Sequence, residues 1–359
     1  MMFSQGRLLR LVSPYLAPAL IAPGDLAAIA RFADGLPDAF TWGILELRLV
    51  AGDPRADLEI CAGSRDGSRV ALAEAFAARA ATGAGGPLAP LEPLLRAWAA
   101  GQGRLADVPQ LFLEYDDPAR GTQPPFVFLA TDHDARCCPR PPERGTDDVI
   151  ALAREGLTLA RGALDPVPFA TWERCLRALP PGGRALTMAP LDARGLRALR
   201  LDASLPRAAI GPWLDVIGWP GDRAQLARLF ALIGPGWARH RLQLDLGASV
   251  GPRLGVLYRP PVGAHDPASW RPILEQLGAL GACAPAKAAS ALSWIGTERI
   301  DLPDLGWPIS VQRDLDLKLT LTGDATLEAK SYLSYHAGWA ALAAPSLTRS
   351  SSDAARPAE

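Results

Sequence analysis

The sequence predicts an α+β protein built on a ten-stranded antiparallel sheet, and three features carry that reading. Five pairs of alternating apolar and polar segments recur along the 359 residues, and helical stretches, usually two, separate each pair from the next. Short turns rich in Gly, Pro or Asp join the partners within a pair, as hairpins require. Within each pair the apolar residues fall on one face, which suits strands covered by helices on one side only.

The elements follow in order. The opening "LLRLVSPYLAPALI" is apolar, but Pro14 and Pro18 interrupt it too early for a signal peptide or one long helix. "GDLAAIARFADGLP" is an ordinary amphipathic helix. The first strand pair is "WGILELRLV" with "ADLEICAG" (42–63), joined across "AGDPR". Helices over 68–81 and 88–100 lead to "QLFLEYD" with "PFVFLATD" (110–132). Helices over 147–164 and 168–179 precede "RALTMAPL" with "LRALRLDAS" (184–204). Helices over 207–218 and 222–234 precede "RHRLQLDLG" with "RLGVLYRP" (239–260), across "GASVGP". Helices over 266–281 and 286–296 lead to "RDLDLKLTLTG" with "LEAKSYLSYH" (313–336), across "TGDAT". Asp147 and Asp266 stand where a helix start favours an acid. The elements make one domain over 1–342, and the small polar residues of 343–359 predict a disordered tail.

If the helices cover one face, Leu45, Leu47 and Leu49 point to them, with Glu46 and Arg48 on the other side. Leu242, Leu244 and Leu246 oppose Arg241, Gln243 and Asp245 in the same way. Leu315, Leu317, Leu319 and Leu321 oppose Asp314, Asp316, Lys318 and Thr320. The last strand sets Glu328, Lys330, Tyr332, Ser334 and His336 on one face. Two architectures satisfy this pattern. In an open sandwich the polar face meets water. In a closed barrel it lines an interior wide enough, at ten strands, for a ligand, and closure removes both sheet edges.

Composition narrows the function. The hydrophobic fraction of 49%, the charged fraction of 21% and a net charge of −1 describe a globular chain with no overall pull toward nucleic acid or an anionic membrane. No run of 18 apolar residues predicts a transmembrane helix. Five irregularly spaced cysteines suit a reducing cytoplasm better than a disulfide framework. His133, Asp134, Cys137 and Cys138 gather in a Pro- and Arg-rich segment that reads as a surface loop, so no metal site is expected there. No GxSxG, HExxH, Walker or strand-following GxGxxG motif occurs. One oddity remains. Of 37 basic residues only three are lysines, Lys287, Lys318 and Lys330, and two of these lie at inward positions of adjacent strands.

Five successive αα-ββ units, together with the segment "AKSYL" (329–333), resemble the ABBA-type aromatic prenyltransferases, whose fungal indole members carry a Lys-x-Tyr strand signature. The resemblance implies a closed ten-stranded barrel with its helices outside and a polar tunnel inside. It implies that Lys330 binds the diphosphate of an allylic isoprenoid, that Lys318 joins it, and that Tyr332 shields the carbocation. Arg48, Arg200, Arg241 and Arg253 would complete the cationic ring. Glu46, or as second choice Glu59, would take the proton from the aromatic acceptor. His336 is either an acid or base at the tunnel mouth or a hydrogen-bonded structural residue. No cofactor is required, with Mg2+ optional beside the diphosphate.

The chain also departs from the family. Lys-x-Tyr occurs once, "PFVFLATD" has no basic residue, and Asp202 stands where a cation or tyrosine is expected. Glu114, Asp116, Asp202, Asp245, Asp314 and Asp316 make the inner face acid-rich. The implied function is prenyl transfer to an aromatic or peptide side-chain acceptor. The alternatives are a non-catalytic barrel that binds a peptide or metabolite and a hydrolase or lyase of unfamiliar type. Convergence of Arg48, Arg200, Arg241, Lys318 and Lys330 on one space favours diphosphate. Arginines each paired to an acid favour the binding barrel.

Overall fold

Leucine at every second strand position decides which face each strand buries. The computed structural model describes residues 4–64, 67–82, 88–121, 124–131, 144–235, 239–260, 263–324 and 326–339. Five units follow one another. The first is α1 (Gln5–Val12), α2 (Pro23–Asp34), β1 (Trp42–Arg48) and β2 (Ala56–Gly63); the second is α3 (Ser68–Thr82), α4 (Glu92–Ala99), β3 (Gln110–Tyr115) and β4 (Phe126–Ala130). The third is α5 (Thr146–Arg161), α6 (Pro166–Arg177), β5 (Arg184–Pro190) and β6 (Leu199–Pro206). The fourth is α7 (Arg207–Val216), α8 (Arg223–Ile233), β7 (Arg239–Leu246) and β8 (Val250–Tyr258). The fifth is α9 (Pro267–Ala279), α10 (Pro285–Trp294), β9 (Gly296–Ile300), β10 (Ile309–Leu321) and β11 (Leu327–Trp339).

Of the two architectures the pattern allowed, the chain adopts the closed one. Strands β1 to β8 pair in sequence order, β8 pairs β10, β10 pairs β11, and β11 returns to β1, so ten antiparallel strands form a ring. The extra strand β9 hangs on β10 outside the ring. Its sequence, "GTERI", follows a helix directly and is too short to show a period.

The main core lies between ring and helices. Leu45, Leu47, Leu49, Leu242, Leu244, Leu246, Leu315, Leu317 and Leu319 are buried there with Trp98, Trp172, Trp270 and Trp294 from the helices and helical connections. A second, smaller apolar cluster forms on the opposite strand faces, from Cys61, Phe112, Phe126, Phe128, Ala130 and Ala189, with Trp42 packed against it. The prolines of the first unit act as breaks. Pro14 follows the end of α1 in a 3-10 turn, and Pro23 opens α2. Gln5 anchors α1, its amide donating to the Phe40 carbonyl at 2.7 Å. Gly43 lets the chain pass Tyr335, whose ring would lie 2.3 Å from a Cβ at that position. Among the described residues no helix is long and apolar enough to cross a membrane. The His133–Cys138 segment and the tail 343–359 lie outside the described residues.

Candidate active site inside the barrel

Strand register brings the inward side chains together. Across β10 and β11, Lys318 faces Lys330 and Asp316 faces Tyr332. Across β11 and β1, Lys330 faces Arg48 and Tyr332 faces Glu46. Across β6 and β7, Arg200 faces Asp245. Three cations in a row on neighbouring strands repel one another, so carboxylates must stand between them.

Most of these groups, Asp316 and Tyr332 excepted, line a cavity of about 370 Å³ at the hairpin end of the barrel. Arg48, Arg200, Arg253, Lys318 and Lys330 face it, together with Arg55 and Arg194 from connections. Six of the seven cations hold an acid. Arg48 Nη1 lies 2.7 Å from Asp57 Oδ2, and Arg253 lies 2.6 Å from Glu328. Arg200 grips Asp245 with two bonds of 2.7 and 3.1 Å. Arg55 bonds Asp53 at 2.9 Å. Arg194 bonds Asp116 at 2.8 and 2.6 Å and Glu114 at 2.6 Å, its guanidinium 4.2 Å above the Phe126 ring. Lys330 Nζ donates to Glu46.

Lys318 is the exception. It has no hydrogen-bond or ion-pair partner among the described residues. Gly255 makes its place, since a Cβ there would lie 3.0 Å from Lys318 Cε and 3.4 Å from Gln243 Cβ. Burial, and then the nearby Arg200 charge, push the Lys318 ammonium down to about 7. Burial works to raise the Glu46 carboxyl. The Lys330 and Lys318 charges and hydrogen bonds from Lys330 and Tyr332 outweigh it and hold the group well below the ordinary value.

A second, narrower cavity of about 40 Å³ adjoins the first and shares Arg200 and Gln243 with it. Trp42, Phe112, Phe128 and Tyr332 supply its aromatic wall, with Trp42 and Phe112 edge to face at 5.9 Å. Glu59 lies in that wall, directly opposite Glu114 on β3. Burial, then the Glu114 charge, raise the Glu59 carboxyl to about 8. Arg241 also faces this chamber, and its Nε donates to Asp202 at 2.7 Å.

The two glutamates proposed as proton acceptors therefore sit in different places. Glu46 is tied to Lys330 in the cationic cavity, and Glu59 faces the aromatic one. Tyr332 lies in the wall of the second cavity beside Glu46. His336 lines neither; it faces Trp42 across the strands, and burial lowers its pKa against the pull of Asp314. Four of the five named cations share one cavity and Arg241 does not, and all of the five but Lys318 hold an acid.

The acids of the inner face are engaged. Arg259 lies 3.2 Å from Asp314 and 3.5 Å from Asp316. Ligand atoms of Glu46, Asp57 and Glu114 lie within 4.8 Å of one another, but Lys330, Arg48 and Arg194 already contact them. That donor set does not fit a resident ion without displacing three cations.

Sequence reasoning missed Arg194 and Arg55, which lie in connections where no period marks them. It also missed the role of "PFVFLATD". That strand offers no cation because Phe126 and Phe128 face the apolar part of the interior, and Arg194 supplies the charge from the β5–β6 connection. Alternation in "PFVFLA" was the available signal.

No protein-family profile and no curated protein sequence matches the chain. Among solved structures it is similar to 5-dimethylallyltryptophan synthase from Streptomyces coelicolor, at 16% identity and TM-score 0.45, covering 92% of this chain and 95% of that one. It is also similar to the prenyltransferase PriB in a ternary complex with L-tryptophan and dimethylallyl thiolodiphosphate, at 15% identity and TM-score 0.47, covering 92% and 94%. The closed barrel with outer helices is the arrangement that the resemblance to ABBA-type prenyltransferases implied. Likeness of this degree says nothing about chemistry, which rests on the two cavities.

Proposed function

We propose that the barrel transfers a prenyl group from an allylic isoprenoid diphosphate to an electron-rich aromatic acceptor. One observation carries the reading: a cavity lined by seven basic side chains adjoins a chamber walled by aromatic rings and the Glu59 carboxyl. Ionising an allylic C–O bond sends its electron pair out with the diphosphate. That step needs cations around the leaving group and no water beside the carbocation. Lys318 offers the first unclaimed contact. Lys330 and Arg200 join when the ligand's charge replaces Glu46 and Asp245. The carbocation then lies at the junction of the cavities, against Tyr332. The acceptor ring attacks it, and Glu59 takes the proton that the ring loses. The chamber as it stands holds little more than a water molecule, so the acceptor enters by moving aromatic side chains.

The near-complete pairing of the cations favours a second reading, a non-catalytic barrel that binds an anionic metabolite or peptide. Among the described residues the buried thiols of Cys61, Cys175 and Cys283, none of them in a disulfide, fit a cytoplasmic setting for either. Incubation with dimethylallyl, geranyl and farnesyl diphosphates and a panel of indoles and phenols separates the two. Prenyl transfer predicts diphosphate release with a prenylated product, reduced roughly 10²–10⁴-fold in Glu59→Gln while donor binding persists. Donor binding without product from any pair supports the binding barrel instead.

A further inference from the structure

We propose that Lys318 is an imine-forming amine, and that the cationic cavity captures phosphorylated aldehydes by joining their carbonyl carbon to Lys318 Nζ. The three lysines of the chain have different fates. Lys287 is buried and donates to the Arg48 and Asp53 carbonyls, each at 2.6 Å, which leaves it no freedom to react. Lys330 is held by Glu46. Lys318 alone has no partner among the described residues, and it faces a cavity that reaches the surface beside the half-exposed side chains of Arg55 and Arg253. Gly255 on β8 leaves the space along its stem that a new bond at Nζ requires.

The environment raises the share of free amine. Lys330 on β11 and Arg200 on β6 oppose the ammonium, while Glu46 on β1, Glu114 on β3, Glu59 on β2 and Asp245 on β7 support it. Neighbouring positions on β8 carry Gly255 and Leu257, which have no charge. Burial decides the balance, and the group titrates near 7. An exposed lysine is free base in only about 0.04% of molecules at pH 7. A group titrating near 7 is about half free base, roughly a thousandfold more. In the reaction, the amine nitrogen forms a bond to the carbonyl carbon. The carbonyl oxygen then leaves as water with the two N–H hydrogens, and C=N remains. The phosphate of the aldehyde meets the guanidinium groups of the same cavity, which orients the carbonyl toward Nζ.

The test uses the full chain, pyridoxal 5′-phosphate as the probe, and borohydride to reduce the imine before peptide mass spectrometry. Lys287, Lys330 and the amino terminus are internal competitors within one molecule, so the wild-type experiment is decisive without a variant. The expected result is labelling at Lys318 at least tenfold above each competitor. Labelling should fall as pH drops from 8 to 6, be blocked by inorganic pyrophosphate, and weaken with pyridoxal lacking the phosphate. Lys318→Arg should abolish it while keeping the wild-type melting profile. Labelling spread evenly, centred on Lys330, or absent overturns the proposal, as does equal labelling by pyridoxal. Failure of prenyl transfer leaves this outcome unaffected, because no isoprenoid is present.

Discussion

Removing the Lys330 ammonium while Glu46 stays should destabilise the barrel far more than removing both. Glu46 is 2% exposed and the Lys330 side chain 17%, so water screens this pair little. Lys330→Met leaves a buried carboxylate with Tyr332 and the more distant Lys318 as its remaining support. Breaking a buried pair in this way costs about 3–5 kcal/mol. At about 2.1 cal/mol/K per residue, a chain of 359 residues unfolds with roughly 0.75 kcal/mol/K, so Tm should drop by roughly 4–7 °C. The double variant Glu46→Gln/Lys330→Met removes the orphaned charge and should recover most of the loss. The pH dependence has a definite sign. In the wild type the Glu46 pKa lies below its unfolded value, so its contribution is present above the unfolded pKa and is lost as pH falls through the folded one. In Lys330→Met, burial dominates and lifts the carboxyl above its unfolded value. Its penalty is then full at neutral pH and relieved as pH falls toward 5. Thermal melts of the wild type and the two variants at pH 5, 6, 7 and 8 read this directly. A single variant as stable as the double, or a gap that does not narrow on acidification, refutes the reasoning.

Other outcomes follow from the same geometry. Glu59 holds its proton up to about 8, so the folded state binds more protons than the unfolded one from the ordinary carboxyl range to that pH. Stability should therefore fall as pH rises through that window, and Glu59→Gln should flatten the slope in pH-dependent melts. If Glu59 accepts the acceptor's proton, the prenylation rate should rise with pH through about 8 in a pH–rate profile. Gly255→Val crowds the Lys318 stem and Gln243, and should weaken diphosphate affinity roughly tenfold by calorimetry while lowering stability by about 1–3 kcal/mol. Arg194→Met leaves Glu114 buried among Glu46, Asp57 and Glu59. It should lower stability by about 3–5 kcal/mol at pH 7 in urea titrations.

Much of the fold was legible because its signal is local. The period-2 leucines of "LDLKLTL" and "RLQLDL" mark both the strand and the face it buries, and the observed strands begin and end within a few residues of those read from the chain. Closure was not local. The same alternation serves an open sandwich, and only the β11–β1 pairing, nearly the whole chain apart, decides between them. In the site, inward polar residues on strands could be placed by parity, and Glu46, Arg48, Arg200, Lys318 and Lys330 do share one cavity. Parity could not show that Asp245 would grip Arg200, or that Arg194 would reach in from a connection to hold Glu114 and Asp116. Those partners depend on cross-strand register and loop course. Nor could it separate Glu46 from Glu59, which share the inner face but meet a lysine in one case and aromatic rings in the other.

The central claim is that the cationic cavity holds an allylic diphosphate through Lys318. Calorimetric titration of wild type and Lys318→Met with unreactive thiolodiphosphates of five, ten and fifteen carbons tests it most directly. Micromolar binding of at least one of them, weakened roughly tenfold or more in Lys318→Met, is the predicted result. No binding of any of the three at millimolar concentration, or binding indifferent to Lys318, would contradict it.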